Sequence, residues 1–347
     1  MKTIQVETGR AYPVYIGQGI LPDCGRLLKE SLRSKRAVIV TDDTVNGLYG
    51  KQTEESLRCA GLEVHTFAFP HGEGSKKLDT ALEIINFLLE HTMTRTDVVV
   101  ALGGGVVGDM AGFAASIYLR GIPYIQIPTT FLAAIDSSVG GKTAVNIPQG
   151  KNLLGSFYQP RMVICDTDTL DTLTEDCFND GMAEALKYGC IWDEKLFSLM
   201  EFGGARKHLE AIIARCVQIK ADVVAEDERD TGLRQILNFG HTLGHAIEKE
   251  SGFSIAHGKG VAAGMVVITR ASEQQGLTPT GTTQRLIEAL ERYSLPTSTH
   301  LSPEELASLA GGDKKRDGDL INLVVLDCMG KCRLHPVEIG KLAAFLS

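Results

Sequence analysis

Residues 96–105 read TDVVVALGGG, and this run constrains the fold more than any other. An unbroken apolar stretch of this length suits a strand buried on both faces. Three glycines close it, and a helical pattern opens at about Val107. Similar runs recur: RAVIVTDD at 36–43, LEVHTFAFP at 62–70, IPYIQIPTT at 122–130 and MVICD at 162–166. Residues 78–91 carry Leu82, Ile85, Phe87, Leu88 and Leu89 at helical spacing. Strands separated by helices predict a parallel α/β sheet. The polar, alternating start MKTIQVETGRAYPVYIG is predicted to add an edge strand and has no signal-peptide core.

From about Leu170 the pattern changes. GMAEALKYG, HLEAIIARCVQIKADVVAEDE, GHTLGHAIEKE and KGVAAGMVVITRASEQQG all have helical spacing. We therefore expect a Rossmann-like α/β nucleotide-binding domain over 1–168 and a mainly α-helical domain over 169–347. Close packing of the two would place the site between them. LINLVVLD at 320–327 is expected to be a strand of a small returning sheet.

Composition narrows the function classes. A net charge of −8 argues against a nucleic-acid binder that needs a basic face. No apolar run approaches a membrane span. The eight cysteines are scattered, and the last pair, C-M-G-K-C at 328–332, is neither C-x-x-C nor a structural zinc motif. They fit small core residues in a reducing, cytoplasmic compartment.

Four motifs carry chemistry. Gly103 to Gly108 fit G-x-G-x-x-G, after a strand and opening a helix, where backbone N–H groups and a helix N-terminus bind phosphate. In a Rossmann domain this turn normally follows the first strand. Here it comes near residue 100, so a nucleotide-binding α/β domain of another kind is expected. The alternative is a tight strand-to-helix turn. Asp109 after it, and Asp42 at the end of an earlier strand where a ribose could be held, favour the nucleotide. DSSVGGKT at 136–143 ends like a P-loop, but Asp136 stands where that motif needs glycine. What remains is a Lys-bearing glycine loop suited to an anion or a carbonyl. GMAEALKYG places Glu184 and Lys187 on one helical face, usually a surface ion pair. Apolar flanks suggest a buried helix instead, where a charge needs a partner or a metal. LNFGHTLGHAIE places His241 and His245 four apart, about 6 Å at Cβ. No Glu follows His241, so H-E-x-x-H fails, and that fragment alone leaves metal binding and a hydrogen-bonded core histidine equally open. With His257, residues Glu184 and His241 could complete a three-ligand catalytic zinc set.

The stretches SIYLRGIPYIQIPTTFLAAIDSSVGGKTAVNIPQGKNLLGSFYQP, GMAEALKYG, GLRQILNFGHTLGHAIE, HGKGVAAGM and DKK run in one order along the chain. In them the sequence resembles the 3-dehydroquinate synthases of the sugar-phosphate cyclase superfamily. The resemblance implies a dehydroquinate synthase-like fold, NAD, Zn2+ or Co2+, a homodimer and a small-molecule substrate, 3-deoxy-D-arabino-heptulosonate 7-phosphate. The implied product is 3-dehydroquinate, in the shikimate pathway to aromatic amino acids. It is reached by transient oxidation, phosphate elimination, reduction and intramolecular aldol closure.

The resemblance also implies roles for single residues. Glu184, His241 and His257 look like metal ligands, and His245 like a residue near the phosphate, available for proton transfer. Cofactor contacts are implied for Asp42, for the loop of His71, Gly72, Glu73, Gly74, Ser75 and Lys76, and for Gly105, Val106, Val107, Gly108 and Asp109. Thr129, Thr130, Lys142 and Lys151 join them, as do Thr169, Leu170, Asp171 and Thr172. Substrate contacts are implied for Asp136, Lys142, Asn152, Lys187, Lys220, Arg234, Asn238, His245 and Lys314, with Arg120 entering from a neighbouring subunit. The cations suit a small dianionic substrate. Three rivals are a sister cyclase, whose substrate lacks the carboxylate that Arg234 and Lys220 would hold, a metal-dependent alcohol dehydrogenase of related fold, and a non-catalytic NAD-binding regulator, against which the intact Glu184, His241, His257, Lys142 and Asn152 set argues. The chain departs from the family pattern twice. Asp176 stands where TLPxRE has arginine, and Lys259 where HGEAV has glutamate, so an acid supporting the metal is expected to be missing.

Overall fold

The computed structural model describes residues 1–311, 316–317 and 319–347; Lys314 lies outside the described residues. The chain divides into two compact units, Met1–Leu173 with Lys220–Glu228, and Thr174–Ile219 with Arg229–Ser347.

The first unit runs β1 (Lys2–Val6), β2 (Tyr12–Gly17), α1 (Cys24–Ser31), β3 (Arg36–Asp42), α2 (Asp43–Val45), α3 (Lys51–Cys59), β4 (Glu63–Phe69) and α4 (Leu78–Glu90). It continues through β5 (Val98–Gly103), α5 (Gly105–Ile117), β6 (Tyr124–Pro128), β7 (Lys142–Ile147), β8 (Gly150–Phe157) and β9 (Val163–Asp166). Seven strands form one sheet in the order β1-β2-β9-β6-β5-β3-β4, all parallel except the β1–β2 pair. The apolar runs read from the sequence are its central strands. Their side chains alternate between two cores, as a two-residue period requires. Val38, Val40, Val99 and Ala101 pack with residues of α4 and α5, whereas Ala37, Ile39, Val98 and Val100 pack with residues of α1 and α3.

Two local expectations need correction. Helix α4 forms, but it buries Thr80, Ala81, Ile84 and Leu88, leaving Leu82 and Leu89 exposed, because leucines are spread around the whole helix. Lys142 does not sit in a loop. It opens β7 of the separate antiparallel hairpin β7–β8.

The second unit is mainly helical, as expected. Its elements are α6 (Glu175–Ile191), α7 (Glu194–Met200), α8 (Leu209–Glu226, whose last residues belong to the first unit), α9 (His241–Glu250), α10 (His257–Gln274), α11 (Thr282–Glu291), α12 (Pro303–Ala310) and α13 (Leu342–Leu346). LINLVVLD is a strand, β11 (Leu320–Cys328), between β10 (Arg316–Asp317) and β12 (Lys331–Glu338) in an antiparallel sheet. Among the described residues, no helix is long and apolar enough to cross a membrane.

Asp97 pins the start of β5. Its carboxylate accepts from the N–H groups of Arg36 (2.9 Å), Lys35 (3.3 Å) and Thr94 (2.8 Å), and from the Thr94 hydroxyl (2.8 Å). Burial pushes its pKa up, but these donors outweigh burial and hold it below the ordinary value. A depressed folded pKa adds stability above the unfolded value of about 4, lost as pH falls through the folded value. Asp97→Ala is expected to cost about 2 kcal/mol at neutral pH. In urea melts its deficit should shrink in acid, and a deficit independent of pH would contradict this role.

Candidate metal and cofactor sites

In the first unit, β4 lies on one side of β3 and β5 on the other. The order of strands therefore reverses between β3 and β5, where open α/β sheets bind ligands beyond the carboxyl ends. Asp42 ends β3 and Gly103 ends β5. The Asp42 carboxylate accepts from Val45 N (2.8 Å) and so caps the following turn. A Cβ on Gly104 would lie 2.8 Å from the Thr130 methyl, so any other residue there would have to displace Thr130. Helix α5 has no side-chain cap, and the N–H groups of Gly105, Val106 and Val107 in its first turn have no intrahelical acceptor. Such a turn binds phosphate. Beside it, Thr129, the residue after β6, has a buried hydroxyl with no partner among the described residues. A bare helix start, an orphaned hydroxyl and an acid at the switch point fit a dinucleotide.

The glycine loop after β4 is tied down at several points. His71 bonds Asp43 through its backbone N (3.1 Å) and Nδ1 (2.7 Å), and Ser75 Oγ donates to Pro70 O (2.5 Å). The buried Lys76 ammonium lies 2.6 Å from Asp109 and 2.6 Å from Asn152. Burial raises the pKa of Asp109 above its ordinary value despite Lys76. Glu73, Lys76, Asp109 and Asn152 are thus brought together. Lys220 likewise meets Asp136, pairing with its carboxylate and donating to its carbonyl (2.8 Å). Thr169, Leu170, Asp171 and Thr172 follow β9 in one 3-10 segment. Tyr49, which the sequence did not single out, bonds the Thr169 carbonyl (3.1 Å) and the Thr172 hydroxyl (2.7 Å). The Leu170 side chain is buried in the core, leaving its backbone for any cofactor contact. Lys142 begins one strand of the hairpin, and Lys151 is the second residue of the other. Arg120 stands apart, exposed at the far end of α5, about 20 Å along that helix from its first turn.

In the second unit, Glu184 on α6 is fully buried. Lys187, one turn on and also buried, holds Oε2 at 2.6 Å. Oε1 faces Nε2 of His241 and Nε2 of His257, each at 3.2 Å. The other nitrogen of each ring is occupied. His241 Nδ1 donates to the Phe239 carbonyl (3.2 Å), and His257 Nδ1 donates to the buried Glu248 carboxylate (2.9 Å). In neutral rings both Nε2 atoms are then lone pairs aimed at a carboxylate oxygen. Three lone pairs meeting in a buried place repel unless a cation lies among them. Burial lowers the pKa of His241. Burial would lower that of His257 too, but the Glu184 and Glu248 carboxylates outweigh it and push it up to about 10. The site therefore demands positive charge. One carboxylate and two imidazoles, each steadied from behind, suit a divalent metal.

His245 also belongs to this constellation, its ring centre 5.5 Å from that of His241 and 5.9 Å from that of His257. It is not in the Glu184 group. Its ligand atom groups instead with Glu248 and His257. Arg234, also buried, and Asn238 occupy the 3-10 turn that leads into α9. Glu248 and Asp180 were missed from sequence. Glu248 lies seven residues after His241, on the same face of α9. Asp180 on α6 accepts from Lys259 N (3.2 Å) and caps α10, whose own N-cap, Ala256, offers no side chain. A Cβ on Gly258 would overlap the Asp180 carbonyl, so only glycine lets α10 approach α6 this closely.

Models of the 3-dehydroquinate synthase N-terminal and C-terminal regions match residues 66–180 and 181–316. The chain is 46% identical over 343 residues to the 3-dehydroquinate synthase of Enterococcus faecalis strain OG1RF, covering 97% of this chain and 96% of that one. The chain belongs to the 3-dehydroquinate synthase family. Among solved structures, 2-deoxy-scyllo-inosose synthase complexed with carbaglucose-6-phosphate, NAD+ and Co2+ is 28% identical, with a TM-score of 0.89 over 99% of both chains. The 2-epi-5-epi-valiolone synthase of Streptomyces hygroscopicus subsp. jinggangensis 5008, with NAD+ and Zn2+ bound, is 28% identical at a TM-score of 0.88, over 99% of this chain and 98% of that one.

Against the pattern of the 3-dehydroquinate synthases, the two departures meet each other. Lys259 Nζ lies 2.8 and 2.9 Å from the two oxygens of Asp176. The charges are reversed relative to the arginine and glutamate expected there. No acid is missing behind the metal site, because Glu248 supplies it. The Asp176 side chain is 79% exposed, so the pair is worth about 0.5 kcal/mol at most. Asp176→Lys and Lys259→Asp should each lower the melting temperature slightly. The double reversal should recover it; additive losses would show that the pair is not coupled.

Proposed function

We propose that the chain is a lyase that converts 3-deoxy-D-arabino-heptulosonate 7-phosphate to 3-dehydroquinate and phosphate, in the shikimate pathway. The observation that carries this reading is the convergence of Glu184, His241 and His257, joined to 46% identity with a 3-dehydroquinate synthase over almost the whole chain. Glu184, His241 and His257 would hold Zn2+ or Co2+, and the Gly105–Asp109 turn with Asp42 and Thr129 would hold NAD. Bound there, the metal supplies Lewis acidity to a substrate hydroxyl, and NAD supplies a hydride acceptor that is regenerated within the cycle.

The chain's own residues bind and orient. Lys187 fixes one oxygen of Glu184, leaving the other for the metal. Arg234 and Lys220 are buried cations suited to a carboxylate, a group that separates this substrate from those of the sister cyclases. Asp136 holds Lys220 in place. His245 is a neighbour of the metal ligands and suits proton transfer near the phosphate. The chain is also proposed to form a cytoplasmic homodimer. Free thiols fit a reducing compartment. Ile117 and Leu119 are exposed beside Arg120 and offer apolar surface that a second subunit would cover.

Purified protein should release phosphate from 3-deoxy-D-arabino-heptulosonate 7-phosphate with added Zn2+ and substoichiometric NAD, forming 3-dehydroquinate without net NADH. Net NADH would instead mark a dehydrogenase. No release from this substrate, with release from glucose 6-phosphate or sedoheptulose 7-phosphate, would mark a sister cyclase.

A further inference from the structure

We infer that Asn146 is a positioning residue that couples the cofactor loop to the substrate-contacting Asn152. The inference rests on the reading of Glu73 and Lys76 as cofactor contacts and of Asn152 as a substrate contact. Asn146 lies in β7, at a break in the register of the hairpin. Val145 pairs with Leu154 and Ile147 with Gly150, leaving Asn146 out of the ladder. Such irregularities re-aim a side chain, and they are frequent beside active sites. Here the amide turns to the glycine loop. Its Nδ2 donates to Glu73 Oε1 (2.7 Å), its Oδ1 accepts from Asn152 N (2.9 Å), and its backbone N donates to Lys76 O (2.8 Å). The partners fix which end of the amide is which, since a carboxylate requires the NH2 and an N–H requires the oxygen.

The bond to Asn152 matters because that residue has φ of 54°, in the left-handed region that a non-glycine residue occupies at a cost. Held there, Asn152 presents its side-chain Oδ1 to Lys76, which also holds Asp109 in the first turns of α5. Glu73, Asn146, Asn152 and Lys76 thus close a circuit of hydrogen bonds. A cofactor that orders Glu73 and Lys76 also sets Asn152, and linkage makes the effect reciprocal. Alanine at 146 removes both side-chain bonds. Aspartate keeps the acceptor for Asn152 but turns a carboxylate on Glu73.

The test measures the NAD+ dissociation constant by calorimetry, the substrate KM and the melting temperature for the full-length wild type and for Asn146→Ala, Asn146→Asp, Glu73→Gln and the Glu73→Gln/Asn146→Asp pair. In Asn146→Ala, both the dissociation constant and KM are expected to rise about tenfold, with little change in melting temperature. Asn146→Asp should impair NAD+ binding more than KM. The double variant should recover part of that loss, because glutamine at 73 can donate to aspartate at 146. A merely structural role would lower the melting temperature without this rescue, and that result would overturn the inference. Wild-type affinities in both Asn146 variants would also overturn it while leaving the proposed function intact. Wild-type protein that binds no NAD+ would overturn both.

Discussion

A buried carboxylate needs compensation, and Glu184 receives only part of it from within the chain. Lys187 neutralises one oxygen, and two imidazoles aim at the other. Neither ring is free to turn away. The Phe239 carbonyl holds His241, and the Glu248 carboxylate holds His257. Removing any of these supports leaves a buried charge or an ungoverned ring, so the second unit is organised around one electrostatic demand. Charge, orientation and burial all favour a divalent cation there.

Bringing three helices to one point requires close backbone approach. Gly258 lets α10 lie on the Asp180 carbonyl of α6, and a Cβ on Gly264 would overlap the Gly240 carbonyl at the start of α9. Asp180 then caps α10 across the contact. The first unit solves a different problem with the same economy. A glycine turn at the sheet's switch point leaves N–H groups bare, and a hairpin outside the main sheet supplies polar side chains to the loop beside it. In each unit the scaffold is regular, and the chemistry sits where that regularity is interrupted.

Much of this was legible in the sequence. The apolar runs at 36–43, 96–105, 122–130 and 162–166 announced the parallel strands, because strands buried on both faces tolerate few polar residues. Glu184, His241 and His257 were legible as one possible ligand set, and the structure gathers them. The face of α4 was not legible, since leucines surround that helix and only tertiary packing selects Ala81, Ile84 and Leu88. The hairpin was missed because DSSVGGKT resembles a phosphate loop and TAVNIPQGKN lacks a long apolar run. Glu248 was not singled out, though its place on the His241 face was the available signal. The Asp176–Lys259 pair could be read only as two separate departures, because 83 residues separate the partners along the chain.

Glu184, His241 and His257 are proposed to form one divalent-metal site. The most direct measurement is the visible absorption of the protein titrated with Co2+, repeated for Glu184→Gln, His241→Ala and His257→Ala with folding checked by circular dichroism. One equivalent should bind to the wild type and produce d–d bands that each folded variant weakens or abolishes. Folded variants that keep the wild-type spectrum and stoichiometry would place the metal elsewhere and contradict the claim.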